Sequence, residues 1–157
     1  MKIIPLVDDM CHHIPCNPLK KAHGRSLLIQ HNNKTFLFDT GPSDAILHNS
    51  HKLHIGLHTI DHIIISHPHY DHIGGLPYVL TQNDSAPIHL SPYCFQSCYY
   101  KLGPFSFPIS QPTLLDNLYT NYKSRFHFIS TTQAIDLDTI LLTNIFGKDS
   151  SWSYVNI

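Results

Sequence analysis

The chain has 157 residues with a formal net charge of −1; 42% of its residues are apolar and only 13% charged. That is the balance of one globular domain: too short for two ordinary domains and too apolar for a disordered chain. With no basic stripe, electrostatics give no reason to expect nucleic acid or an anionic membrane as partner, and no apolar run approaches the roughly 20 residues that a membrane span needs.

Residues 2–7 predict a short strand. Residues 8–21, with Pro15, Pro18, Cys11 and Cys16, predict a loop. Strands are expected at 26–30 and 35–38, joined by the turn His31-Asn32-Asn33-Lys34, since Asn tolerates the left-handed conformations of tight hairpins. This hairpin would deliver Asp39-Thr40-Gly41 to a strand end. Pro42-Ser43-Asp44 predicts a helix start, with a capping hydroxyl and an acid in the first turn, and the helix should run to about Leu53. A connector around Gly56 leads to His62-Ile63-Ile64-Ile65-Ser66, a β-branched run suited to a buried strand.

After Gly74-Gly75 a short helix is expected over 76–81, a strand over 87–90 and helix over 93–100. Residues 101–111, with Pro104, Phe105, Phe107 and Pro108, predict an irregular flap suited to selecting a substrate. Strands follow at 125–129 and 139–143, and the last dozen residues give no signal. Strands alternating with helices define an α/β layered class.

The chain holds 14 histidines and four cysteines. Eleven of the histidines (His12, His13, His23, His31, His48, His51, His54, His58, His62, His89 and His127) read as surface or local-context residues; His51, His54 and His58 fall at the spacing of a solvated helix face. Cys94 and Cys98 could share a helix face. Neither they nor Cys11 and Cys16 have the two-residue spacing of a zinc knuckle or redox motif, so all four read as free thiols in packing roles. With no charged-then-apolar leader at the start, the expected compartment is the cytoplasm.

The chemistry concentrates in His67-Pro68-His69-Tyr70-Asp71-His72. Two histidines two residues apart, on extended backbone at the end of a buried strand, point the same way and can chelate one ion. Asp71 and His72 lie close enough to serve a second. Nitrogen and carboxylate donors without thiolate suit Zn²⁺, Mn²⁺ or Fe²⁺ in an open site better than a closed structural zinc. Asp39, an acid at a strand end, reads either as an ordinary turn carboxylate or as a group that accepts hydrogen bonds from the metal loop and orients its histidines.

The run Phe36-Leu37-Phe38-Asp39-Thr40-Gly41 followed by Ile63-Ile64-Ile65-Ser66-His67-Pro68-His69-Tyr70-Asp71-His72-Ile73-Gly74-Gly75-Leu76 resembles the metallo-β-lactamase superfamily. The stretch from His23-Gly24-Arg25-Ser26 to Leu47-His48-Asn49 is similar to one branch. That branch comprises metal-dependent hydrolases and the dihydropterin-ribofuranosylaminobenzene phosphate synthase. The resemblance implies the N-terminal portion of an αββα sandwich, with the site at one edge of two sheets. It implies His67 and His69 on a first metal, Asp71 and His72 on a second, Asp71 beside the attacking water and Asp39 orienting the loop. The cofactor would be one or two zinc ions, or manganese or iron. The reaction would be attack of metal-activated water on an ester, amide or phosphoester of a small molecule.

Members of the family bring a third histidine from a Gly-Cys-Ser-His-like stretch in their second half. This sequence has no such stretch, and neither His89 nor His127 sits at a Gly-rich strand end. The expectation is therefore a single, incomplete domain over 1–157: a hydrolase completed by a partner chain or by self-association, or a truncated, non-catalytic remnant or metal-binding module.

Overall fold

The computed structural model describes residues 1–9 and 19–130, together with the backbone of two short strands at 133–135 and 140–142. Strands β1 (Lys2–Val7), β2 (Ser26–His31) and β3 (Lys34–Phe38) form an antiparallel meander. Asn32 and Asn33 turn the β2–β3 hairpin with φ of 47° and 60°, both left-handed, as a two-residue turn of the primed type requires. β4 (His62–Ile65), β5 (Ile88–Leu90) and β8 (Phe126–Phe128) then add in parallel, giving a six-stranded sheet in the order β1-β2-β3-β4-β5-β8.

The parallel half explains the sequence pattern of β4. Strands covered on both faces read as unbroken apolar runs, and Ile63, Ile64 and Ile65 are all buried. Ile63 and Ile65 face the larger core with Leu28, Leu37, Ile88, Leu90 and Phe126. Into that face pack α1 (Ala45–Lys52) through Ala45 and Ile46, α3 (Leu76–Leu80) through Leu76, Val79 and Leu80, and α4 (Pro112–Tyr122) through Leu115 and Leu118. Ile64 turns to the opposite face, where it meets Phe36.

One corner of the sheet is tied by polar groups. Asn83, 2% exposed, donates through Nδ2 to the carbonyls of Leu57 and Ile60 and accepts at Oδ1 from the amide of Ala86. The buried Arg125 donates to the carbonyls of Ala86 and Asn83 and to Asn83 Oδ1.

Several expectations are corrected. Residues 93–100 are not a helix: a short 3₁₀ turn over Pro92–Phe95, capped by the Ser91 hydroxyl, gives way to β6 (Tyr99–Leu102). Residues 101–111 are not irregular, because β6 pairs with β7 (Phe105–Pro108) in an antiparallel ribbon about Gly103-Pro104. The in-register pairs Tyr100–Phe107 and Leu102–Phe105 share a face, so alternation and not helical periodicity governs the segment. Cys94 and Cys98 consequently share no helix face.

The proline-led helix α4 has no counterpart in the sequence reading, nor does β9 (Gln133–Ile135), which pairs with β10 (Ile140–Leu142). α1 starts at Ala45, with Asp44 in the capping position but no side-chain cap. His51, His54 and His58 do not line one helix: α1 ends at Lys52, His54 has φ 55° and His58 lies in a separate 3₁₀ turn. Cys11, Cys16, His12 and His13 lie outside the described residues. Among the described residues, no helix is long and apolar enough to cross a membrane.

Candidate metal centre

Two strand ends and one turn of helix build the site. β3 runs out at Asp39, whose φ of 57° swings the chain back over the end of β4. The Asp39 amide donates to the carbonyl of Ile64 at 2.8 Å, and the Ser26 hydroxyl holds the Asp39 carbonyl at 2.8 Å. β4 feeds His67, and His69 forms the extended N-cap of α2 (Tyr70–Ile73), a single turn unforeseen from sequence that carries Asp71 and His72. Thr40 clamps this turn through its amide and its hydroxyl, both donating to the His72 carbonyl, at 2.8 and 2.9 Å. Gly24 and Gly75 allow close approach. A Cβ at Gly24, φ 131°, would collide with the Asp71 carbonyl, and one at Gly75 with that of Thr40.

The histidines converge. The His67 ring centroid lies 3.9 Å from that of His72 and 4.5 Å from that of His69. His72 Nε2 lies 3.3 Å from Asp71 Oδ2. Thus the four residues of the loop come together on one side of the turn.

Asp39 is 1% exposed, yet it accepts from three donors: the Ser66 amide at 2.8 Å, the Ser66 hydroxyl at 2.7 Å and His72 Nδ1 at 2.7 Å. A carboxylate has no proton to give, so the Ser66 hydroxyl donates to Asp39 and its oxygen accepts from His67 Nδ1, 2.8 Å away. Both His67 and His72 therefore carry a proton on Nδ1, which makes Nε2 the nitrogen of each ring for a metal. One oxygen of Asp39 falls within 4.8 Å of ring nitrogens of His67 and His72, so distance alone would admit it as a ligand. Its engaged oxygens and deep burial instead make it the group that sets the two imidazoles. Ser66, which sequence reasoning passed over, is the link that carries this to His67; its place directly before His67 was the available signal.

Protonation separates the histidines of the loop. Burial, then the neighbouring His72 and His69, push His67 down to about 4, so its imidazole is neutral at pH 7. Burial likewise lowers His69. Burial is also the largest single influence on His72, but the hydrogen bond and charge of Asp39, with the charge of Asp71, outweigh it and raise this histidine. The donor set of imidazoles and a carboxylate, with Nδ1 of His67 and His72 held by fixed partners, fits a divalent transition metal.

His23 belongs to the periphery, although its sequence context suggested no role. Its Nε2 lies 3.7 Å from Asp71 Oδ2, and Asp9 accepts from the Gly24 amide and contacts the His23 ring. The β6–β7 ribbon is rooted in the same loop: the Tyr70 amide donates to the Ile109 carbonyl at 2.8 Å and His69 bridges Ser110. The ribbon, not an irregular flap, is what stands beside His69. His89 and His127 lie on β5 and β8, away from the loop.

A mixed sheet with helices on one face and a histidine-rich turn at a strand end defines the metallo-β-lactamase class of fold. The model of the metallo-β-lactamase superfamily matches residues 21–145, and the chain belongs to that family. An uncharacterised protein of Methanocaldococcus jannaschii is 45% identical over 62 residues, 40% of this chain and 24% of the relative. The 7,8-dihydropterin-6-methyl-4-(β-D-ribofuranosyl)-aminobenzene-5′-phosphate synthase of the same organism is 36% identical over 102 residues, 61% of this chain and 34% of the synthase. A solved metal-dependent hydrolase of the β-lactamase superfamily superposes with a TM-score of 0.61 at 27% identity, over 86% of this chain and 44% of that one. The chain thus spans less than half the length of each of these relatives.

Proposed function

We propose that this chain is a metal-dependent hydrolase of small molecules, with His67 and His69 holding one divalent ion and Asp71 and His72 a second. The observation that carries the reading is the linked set Asp39–His72 and Asp39–Ser66–His67, which engages Nδ1 of both imidazoles and so makes Nε2 of each the nitrogen for a metal. Zinc is the expected ion, with manganese or iron suited to the same donors. A bound divalent ion would lower the pKa of water and polarise the bond under attack, an ester, amide or phosphoester. Asp71, with 14% of its side chain exposed, orients the water and receives its proton. Its neighbour His23, at 3.7 Å, is placed to relay that proton to solvent. The aromatic ribbon rooted at His69 is the surface that selects among substrates.

Elemental analysis of protein purified without added metal or a metal-affinity tag tests the site first. About one or two ions per chain, lost in His69→Ala, support it. With activated phosphodiesters and esters, Asp71→Asn should lower kcat by about 10²–10⁴-fold; full activity in His67→Ala would end the proposed mechanism.

A second reading, a non-catalytic remnant or metal-binding module, is favoured by the ligand count among the described residues. His67 and His69 bring two ligands where open catalytic zinc sites usually have three. Under the hydrolase reading the remaining ligands come from outside the described residues, from further chain, a partner chain or a second copy. Folded protein that takes up no metal from micromolar zinc, alone or concentrated, would favour the remnant.

A further inference from the structure

Away from the metal loop, three histidines gather on the sheet. His62 opens β4, and His89 and His127 are the central residues of β5 and β8. The register puts Ile64 beside His89 and His89 beside His127 across parallel strands. Side chains alternate between faces. Since Ile63, Ile65, Ile88, Leu90 and Phe126 all point into the helix-covered core, the three histidines project from the opposite face, the one that carries Phe36 and Ile64.

The rings are already in contact. His62 Nδ1 lies 3.1 Å from His89 Nε2, and the ring centroids are 5.2 Å apart. His127 follows at 5.5 Å from His89. Phe36 stacks on His62 at 5.3 Å with an interplanar angle of 14°, which holds that ring in place. Two imidazole nitrogens bound at about 2.05 Å to neighbouring corners of a tetrahedral ion stand roughly 3.3 Å apart. The observed 3.1 Å is close to that spacing, so an ion enters between His62 and His89 once the proton between them moves to the far nitrogen of its own ring and both rings turn to aim their lone pairs at the ion.

We propose that His62, His89 and His127 form a second metal site, separate from the loop at His67–His72, that binds a zinc-class divalent ion. His62 Nδ1 and His89 Nε2 are its paired ligands. His127, exposed on its strand, supplies the third by rotating its ring toward His89. An all-imidazole donor set selects Zn²⁺, Cu²⁺ or Ni²⁺ against Mg²⁺ and Ca²⁺. His89 is held neutral for the purpose: burial, then His62 and His127, lower it to about 4. An ion here ties β4, β5 and β8 together at the edge of the sheet, and binding to the folded chain alone stabilises it by mass action.

The test uses the full chain carrying His67→Ala, His69→Ala and His72→Ala, which remove every imidazole of the loop. Dialysed against micromolar Zn²⁺, this protein should keep one zinc per chain, and the ring ¹⁵N resonances of His62, His89 and His127 should shift on loading. Adding His62→Gln or His127→Gln should weaken binding about tenfold or more, whereas His58→Gln, an exposed histidine elsewhere, should not. Absence of retained zinc, or retention indifferent to both added substitutions, overturns the proposal. A shift confined to His62 and His89 overturns the assignment of His127. Should the loop variant not fold, His62→Gln with His127→Gln in the otherwise unaltered chain should still remove one zinc-binding event, and an unchanged stoichiometry there also overturns it.

Discussion

Asp39 shows how much one buried carboxylate can organise. It sits in left-handed backbone, which costs most residues about 1–2 kcal/mol but which Asp and Asn tolerate. In return it satisfies both donors of Ser66 and fixes His72. Asp39→Asn should therefore fold, since Asn accepts the same backbone, yet it can no longer accept from every donor around it. Metal affinity should fall about 10–100-fold with only a small change in melting temperature, as a chelator competition and a thermal melt would record. The cysteines differ for a similar reason of environment. Burial pushes the Cys94 thiol up to about 12, whereas Cys98 is half-buried and raised less by the same cause. In native protein at pH 8, iodoacetamide should label Cys98 well before Cys94 by peptide mapping, and denaturation should abolish the difference.

At the scale of elements, α1 ends in a pattern that its sequence hides. The His54 amide donates to the His51 carbonyl at 3.1 Å and the Ile55 amide to that of Ser50 at 2.8 Å, the paired bonds of a Schellman motif. The left-handed residue of that motif is His54, φ 55°, where glycine is usual. His54→Gly should thus raise stability by about 0.5–1 kcal/mol in urea unfolding, because the strain removed exceeds the added freedom of the unfolded chain. The β6–β7 ribbon makes the opposite point. Tyr100, Leu102, Phe105 and Phe107 share one face and remain 48–64% exposed, so local strand pairing and not burial holds their conformation.

The whole molecule depends on a few polar anchors as well as its core. Asn83 joins the connector after α1 to the strands β5 and β8. Asn83→Ala would remove the side-chain donor to the carbonyls of Leu57 and Ile60 and the acceptor of the Ser85 and Ala86 amides and of Arg125 in a buried corner. The expected loss is about 2–4 kcal/mol, read from the urea midpoint with an unchanged slope. Because that corner lies away from the metal loop, the variant should bind metal as the parent does while folded.

The amino-acid sequence by itself determined the parts that rest on local pattern. β1 to β4 follow from short apolar runs and the Asn32-Asn33 turn, and the clustering of His67, His69, Asp71 and His72 from their spacing within six residues at a strand end. Position after a strand was also enough to single out Asp39. What failed locally were segments with mixed signals: Tyr99 and Tyr100 suit helix or strand alike until Phe107 and Pro108 pair with them. α4 escaped because its apolar stripe, Leu114, Leu115 and Leu118, is short and half polar, and only the sheet beneath gives it a face to bury. Tertiary structure alone decided the Asp39–Ser66–His67 linkage and the meeting of His62 with His89, 27 residues apart. Strand order places such groups side by side, and strand order is set by the energy of the whole packed sheet, which no local window of sequence contains.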